Sequence, residues 1–294
     1  MPIAKHGRFL TQKVAIVTDS IACLTKELVE QYGIEIIPIN FYANGKVYRD
    51  WVDVTPSEAY ELFLQDPDSF KTSAAPPQDC LDTFRQASQR ARNILCITIS
   101  IKLSTLYNVV LEAKELAKDE LPGTSIEILD SQTATTAEGF VALAAARAAM
   151  AGKNLPEVIN IAREMKDKVN AVVLLDTISH VYRSGRIPKI ASRVGSVLNI
   201  RPILTVSGAV NFSGAVRDRK HGIDRILRMM RNKVGERPVH VAVMHAYALD
   251  EAEKLKERVA AEFNCAELLL TEFSPLMGYA CGTGTLGLAF YAED

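Results

Sequence analysis

A chain of 294 residues that is 48% hydrophobic and 23% charged can bury a sizeable core and is long enough for two domains, which excludes a disordered polymer. Its 34 Lys and Arg against 35 Asp and Glu leave a net charge of −1, so no global basic field draws nucleic acid or an anionic membrane to it. Five scattered cysteines, odd in number and without a C-x-x-C pair, argue against a disulfide framework or a zinc knuckle and fit a reduced, cytoplasmic setting.

The first ten residues, MPIAKHGRFL, lack the long apolar stretch of a secretory signal. KVAIVTDS (13–20) is a β-branched run closing in small polar residues, and LTKELVEQYGI (24–34) follows at helical spacing, the opening of a β-α unit. IEIIPINFYAN (34–44) predicts a further strand, and TPSEAYELFLQD (55–66) a helix capped by Thr55 before Pro56. NILCITIS (93–100) reads as a buried strand, STLYNVVLEAKELAKDEL (104–121) as a helix, and SIEILDS (125–131) as another strand. GFVALAAARAAMAG (139–152) is interrupted by Arg147 and short for a membrane span, so a buried Ala-rich helix is expected and no transmembrane segment.

Beyond a helix at 156–168 comes the strand AVVLLDT (171–177), then a basic stretch, then PILTVSGAVNFSGAVR, with the alternation and turn glycines of a hairpin. A helix (222–234), the strand VHVAVMHA, another helix and a last strand complete the chain. Strands alternating with helices predict an α/β protein of two domains. Residues 1–165 are expected to form a mainly parallel, doubly wound sheet, and residues 166–294 an α/β domain with a mixed sheet.

Gly282, Gly284 and Gly287 spell G-x-G-x-x-G, but only seven residues follow, leaving no room for the helix and the ribose-binding acid of a dinucleotide site. Two uses remain open for these glycines: a sharp turn before the last strand, or close approach of backbone amides to a small anion. Lys46 and Lys153 lack the flanking residues of a phosphate loop, so ATP binding by this chain alone is not expected. Neither G-x-S-x-G nor H-E-x-x-H occurs, which removes the usual local cues for hydrolases and metalloproteases, and no metal site is expected.

Seven segments taken together carry a resemblance. VTDSIACL (17–24), KTSAAPP (71–77), ITISIKLSTLY (97–107), ILDSQTATTAEG (128–139), SGRIPK (184–189), IRPIL (200–204) and FSPLMGYACGTGTLGLAFY (273–291) resemble, in order and spacing, the DegV family of bacterial fatty-acid-binding proteins. The resemblance implies a two-domain α/β protein that holds a long-chain fatty acid, its only bound ligand, with the carboxylate gripped by hydroxyl side chains. It also implies that some members present that carboxylate to a separate ATP-binding fatty acid kinase. Matched residue by residue, the head-group ligands are Thr72, followed by Ser73, and Ser104. Two departures stand out: LSTLY puts Thr105 and Leu106 where the family has Gly and Thr, and GYACGTG puts Ala280 where it commonly has His.

Read without the family, Ser104 occupies the N-cap position of a helix beginning near Thr105, where free N–H donors and the helix dipole suit an anion; capping alone would also explain it. Arg183, Arg186 and Arg201 either dock the acidic surface or phosphates of a partner or form a solvated face. His245 ends a strand, where open α/β sheets place ligand-facing side chains, and joins the ligand-binding candidates with Gly282 and Gly284. An alternative function is a hydrolase or transferase acting on a small acyl substrate through Ser104 with His245 as base. Asp19-Ser20 and Asp130-Ser131 end strands and are expected to bond adjacent turn amides.

Overall fold

The computed structural model describes residues 12–177, 184–186 and 200–293. β1 (Val14–Asp19) is buried throughout, as a strand covered on both faces must be. It pairs in parallel with β2 (Glu35–Ile37) and with β6 (Asn93–Thr98), and β7 (Ser125–Asp130) adds in parallel to β6. In the resulting order β2-β1-β6-β7 the chain winds outward on both sides of the β1/β6 pair. The C-terminal ends of those two strands therefore flank a crevice of the kind that receives ligands in open α/β sheets.

The run expected as one strand over 34–44 is two elements. Pro38, which has no N–H to give a ladder, lies between β2 and β3 (Asn40–Ala43). β3 leaves the parallel sheet and pairs antiparallel with β4 (Lys46–Arg49) and β5 (Lys71–Ser73) in a separate three-stranded sheet. Between β4 and β5, α2 (Pro56–Gln65) starts in a capping box: Thr55 Oγ1 accepts from the Glu58 N–H, and Glu58 Oε2 accepts from the Thr55 N–H at 2.7 Å. α1 (Lys26–Tyr32), between β1 and β2, is likewise capped by a threonine, Thr25.

The helices α3 (Pro77–Ser88) and α4 (Leu106–Glu120) pack together beside β1, β6 and β7, while α5 (Thr136–Met150) and α6 (Leu155–Lys168) form a second pair against β1 and β6. α5 is the expected buried Ala-rich helix, and the small side chains let it lie between two sheets at once. Its Thr136 hydroxyl bonds that of Thr271 at 2.8 Å, Phe140 meets Tyr291 edge-on, and Arg147 pairs with Glu267 at 2.7 Å.

The second sheet has the order β10-β9-β8-β13-β11-β12. It comprises β8 (Asn170–Leu174), the hairpin β9 (Arg201–Ser207) and β10 (Ala209–Val216), β11 (Val239–His245), β12 (Cys265–Glu272) and β13 (Leu286–Ala292). Only β11 and β12 run parallel, so the sheet is mixed. α7 (Arg219–Val234) and α8 (Leu249–Glu262) bury their apolar faces against it. One apolar cluster runs from Val14 to Tyr291, and the boundary expected at 165 falls inside α6. Among the described residues, no helix is long and apolar enough to cross a membrane.

A short helix, α9 (Pro275–Cys281), returns from the second sheet onto α2. Tyr60 of α2 is wholly buried and donates its hydroxyl proton to the Phe273 carbonyl at 3.0 Å. A Cβ at Gly278 would overlap the Tyr60 ring, so glycine is what lets the two helices touch. Gly278→Ala is expected to lower the unfolding free energy by about 1–3 kcal/mol, as overpacking does, in urea denaturation; an unchanged value would mean that α9 shifts at no cost.

Candidate functional site

A cleft of about 710 Å³, counted out to its open mouth, lies where the parallel sheet, the three-stranded sheet, the β9–β10 hairpin and α9 meet. Thr72 and Ser73 reach it from β5, where they pair with Phe41 and Asn40 of β3. Ser104 reaches it from the turn before α4. The helix begins at Leu106, one residue later than expected, and the residue at its boundary, Thr105, makes no capping bond. The Ser104 hydroxyl caps instead, accepting from the Leu106 N–H at 3.2 Å. Capping uses an acceptor lone pair and leaves the O–H proton to donate to a ligand.

Ser184 and Arg186 line the same cleft. Arg186 donates from Nη1 to the Ser184 carbonyl at 2.8 Å and from Nε to the Leu103 carbonyl at 3.4 Å, which ties its guanidinium to the rim next to Ser104. The remaining walls are apolar: Ile21, Ile39 and Ile99 from the first part of the chain, Val210, Leu276 and Met277 from the second. Val210 is brought there by the hairpin turn at Gly208, whose N–H bonds the Gln132 carbonyl and whose carbonyl accepts from the Ser100 hydroxyl. Among the described residues, the cleft is thus largely apolar along its walls, with the hydroxyls of Thr72, Ser73, Ser104, Ser184 and Tyr279 and the Arg186 guanidinium among its lining groups.

The DegV family model matches residues 13–293. The chain belongs to the DegV family. A DegV domain-containing protein of Clostridium perfringens is 33% identical over 284 residues, 96% of this chain and 99% of that one. Protein DegV of Bacillus subtilis is 28% identical over 280 residues, 94% and 98% of the two chains. Among solved structures, a DegV family protein from Thermus thermophilus, described as fatty acid binding, superposes with a TM-score of 0.85 at 27% identity, covering 96% of this chain and 100% of that one. DegV from Bacillus subtilis, described as a fatty acid binding protein, gives a TM-score of 0.86 at 26% identity with the same coverage.

The other candidates of this DegV protein do not gather at the cleft. His245 lines a separate cleft with Ser57, Tyr247 and Glu272; its Nδ1 accepts from the Ala248 N–H at 3.3 Å, and burial lowers its pKa. No hydrogen bond joins it to Ser104, so the arrangement lacks the nucleophile-base pair of the alternative acyl chemistry. Gly282 and Gly284 have φ of 84° and 79° and shape the turn between α9 and β13. Their N–H groups already donate to the carbonyls of Gly278 and Ala246, so these amides are not available to an anion. Arg201 is spent on Asp176, which it shares with Arg219, and does not stand out as a docking cation. Arg183 lies outside the described residues. Ala280, by contrast, does line the cleft.

Three carboxyl groups are buried behind the cavity wall; sequence reasoning anticipated Asp19 as a turn former and overlooked Asp50 and Glu138. Asp19 Oδ1 accepts from the Ile21 N–H and Oδ2 from the Ile99 N–H, each at 2.9 Å. Asp50 accepts from the Ser274 hydroxyl at 2.6 Å, and Glu138 accepts from the Thr18 hydroxyl at 3.2 Å. Burial raises the pKa of Asp19 and of Asp50 to about 6, against the lowering effect of their hydrogen bonds. Burial and the Asp19 charge push Glu138 well above the usual carboxylate range. No cation is among the groups that shift them. The available signal was a lone acid, Glu138, in the first turn of a mostly apolar helix.

An acid that resists ionisation in the folded state stabilises the fold most below its unfolded pKa, 3.8 for Asp, and that advantage is lost as pH rises through about 6. Replacing one such acid with a neutral isostere removes this loss. The stability of Asp50→Asn relative to the unaltered protein is therefore expected to improve by on the order of 2–3 kcal/mol between about pH 4 and pH 6.5 and then to level off. Denaturant unfolding across that range checks it, and a difference independent of pH would contradict it.

Proposed function

We propose that this protein binds one long-chain fatty acid in the cleft, with the carboxylate at Thr72, Ser73 and Ser104, the Arg186 guanidinium meeting its charge, and the acyl chain along the isoleucines and α9. The observation that carries this reading is the shared cavity: hydroxyl donors and a cation among walls that are otherwise hydrocarbon. Burying a methylene is worth about 0.8 kcal/mol, so a long tail supplies a gross drive on the order of 10 kcal/mol. A carboxylate removed from water is strongly disfavoured unless donors meet it, and three hydroxyls with a guanidinium answer that requirement. The fatty acid binding described for the Thermus thermophilus and Bacillus subtilis relatives supports the same reading.

Organic extraction of the purified protein, followed by mass spectrometry, is expected to recover about one fatty acid per chain. The Thr72→Ala, Ser104→Ala double variant should lose it at roughly 1.5–3 kcal/mol per hydrogen bond to the charged group. No fatty acid in the unaltered protein, and none taken up when it is added back, would end the proposal; full retention by the double variant would return Ser104 to a capping role.

The cleft opens to the surface, so a bound carboxylate at its mouth is accessible to a second protein. We propose that such a partner is a separate ATP-dependent fatty acid kinase, because phosphoryl transfer needs nucleotide, metal ions and positioned positive charge, for which this chain has no phosphate loop. Ala280 lines the cleft at the position where the family commonly has histidine. Its methyl group has no proton to give, so the unaltered protein is expected to support ATP consumption by a fatty acid kinase poorly and Ala280→His to support it better. Equal, full activity of the two would remove the significance of that departure.

A further inference from the structure

The walls of the cleft are connected by hydrogen bonds to two of the buried carboxylates. Asp19 closes the end of β1 by accepting, with one oxygen each, the N–H groups of Ile21 and Ile99. Both isoleucines line the cavity, one just beyond the C-terminal end of each of the two strands that flank the crevice. The next residue, Ser20, accepts from the N–H of Ile39, a third wall residue, and its hydroxyl also bonds Asp50. Asp50 then takes the hydroxyl of Ser274. Ser274 stands at the start of α9, where a serine would ordinarily cap its own helix, yet its side chain makes no capping bond. The hydroxyl is turned to Asp50 instead. α9 carries Leu276, Met277, Tyr279 and Ala280, all of which line the cavity.

We infer that Asp19 and Asp50 are positioning residues for the lipid cleft: they hold its isoleucine walls and α9 in register without touching the ligand. This rests on the lipid reading of the cleft. The geometry suits a carboxylate and not an amide, since Asp19 must accept from two N–H groups at once and asparagine offers a single acceptor oxygen there. The surroundings make an ionised acid costly. Asp19 faces Glu138 of α5, Asp50, and the thiols of Cys23, Cys80 of α3 and Cys96 of β6; Asp50 faces Asp19, Cys23 and Tyr60 of α2. All are acids or neutral groups. Carboxylates that weaken the fold at neutral pH and clamp a cavity on several sides fit a site held in shape for a ligand.

The test uses the full chain and two probes, palmitate and hexadecan-1-ol, the second having no ionisable head group. Asp19→Asn and Asp50→Asn are each expected to bind both probes about tenfold more weakly, without a lower thermal midpoint at neutral pH. Ser274→Ala, which keeps the buried acid and removes only its link to α9, is expected to weaken both in the same direction. Thr72→Ala, in contrast, should weaken palmitate more than the alcohol. Hexadecan-1-ol should bind the unaltered protein several-fold more weakly at about pH 5 than at about pH 7.5, and the Asp19→Asn, Asp50→Asn double variant should be flat over that range. Hydrogen exchange should show the Ile21 and Ile99 amides losing protection in Asp19→Asn. Affinities of the aspartate variants equal to the unaltered protein's, or protection retained at both amides, would overturn the inference. If the unaltered protein bound neither probe, the lipid reading would fall, and the clamp would still be judged by those two amides.

Discussion

The seating of Tyr60 against Gly278 is the contact on which the cleft depends. Tyr60 belongs to α2 in the first part of the chain, and Gly278 to α9, more than two hundred residues later. Their close approach, with the Tyr60 hydroxyl on the Phe273 carbonyl, brings a strand-to-strand connection of the mixed sheet over the mouth of the parallel sheet. Without that docking the C-terminal ends of β1 and β6 would open to water, and a set of isoleucines would form an exposed apolar patch. With it, the same isoleucines face Leu276 and Met277 across the cleft.

The cavity is an interface property in a second sense. α5 is buried on nearly all sides between the two sheets, and its alanines set the spacing of the layers. A helix of larger residues would push the sheets apart and with them the hairpin that delivers Val210. Two polar exceptions along α5 are matched, Thr136 by Thr271 and Arg147 by Glu267 and Tyr32, whereas Glu138 is met by Thr18 at one oxygen and its other oxygen is buried without a hydrogen-bond partner.

Charge is distributed unevenly about the cleft. The cation, Arg186, is at the exposed rim, while the acids lie behind the wall with hydrogen bonds and no counter-ion. The electrostatic potential is therefore more favourable to an anion at the mouth than in the depth. Elsewhere cations and acids are matched in the ordinary way, as in the Arg201–Asp176–Arg219 cluster.

The sequence by itself determined most of the elements and singled out three of the residues that line the cleft. The period of its apolar residues marked β1, β6 and the β9–β10 hairpin; Thr55-Pro56 marked the start of α2; the alanine run marked the buried helix; and the family resemblance singled out Thr72, Ser73 and Ser104. These features are local, or are read from segments in register, and need no knowledge of what packs against them. The sequence also left choices that only the tertiary structure decided. Gly282 and Gly284 were compatible with an anion site or a turn until their amides were found bonded to Gly278 and Ala246. Arg186 and Arg201 looked alike as basic residues, but Asp176 engages one while the other lines the cleft. His245 suited a ligand-facing strand end and faces a different cleft. Asp19 was legible as a turn former; that its second oxygen reaches Ile99, eighty residues away, was not. In each case the deciding partner is distant in sequence, and a single chain carries no mark of which of many chemically suitable partners packing will bring within hydrogen-bond reach.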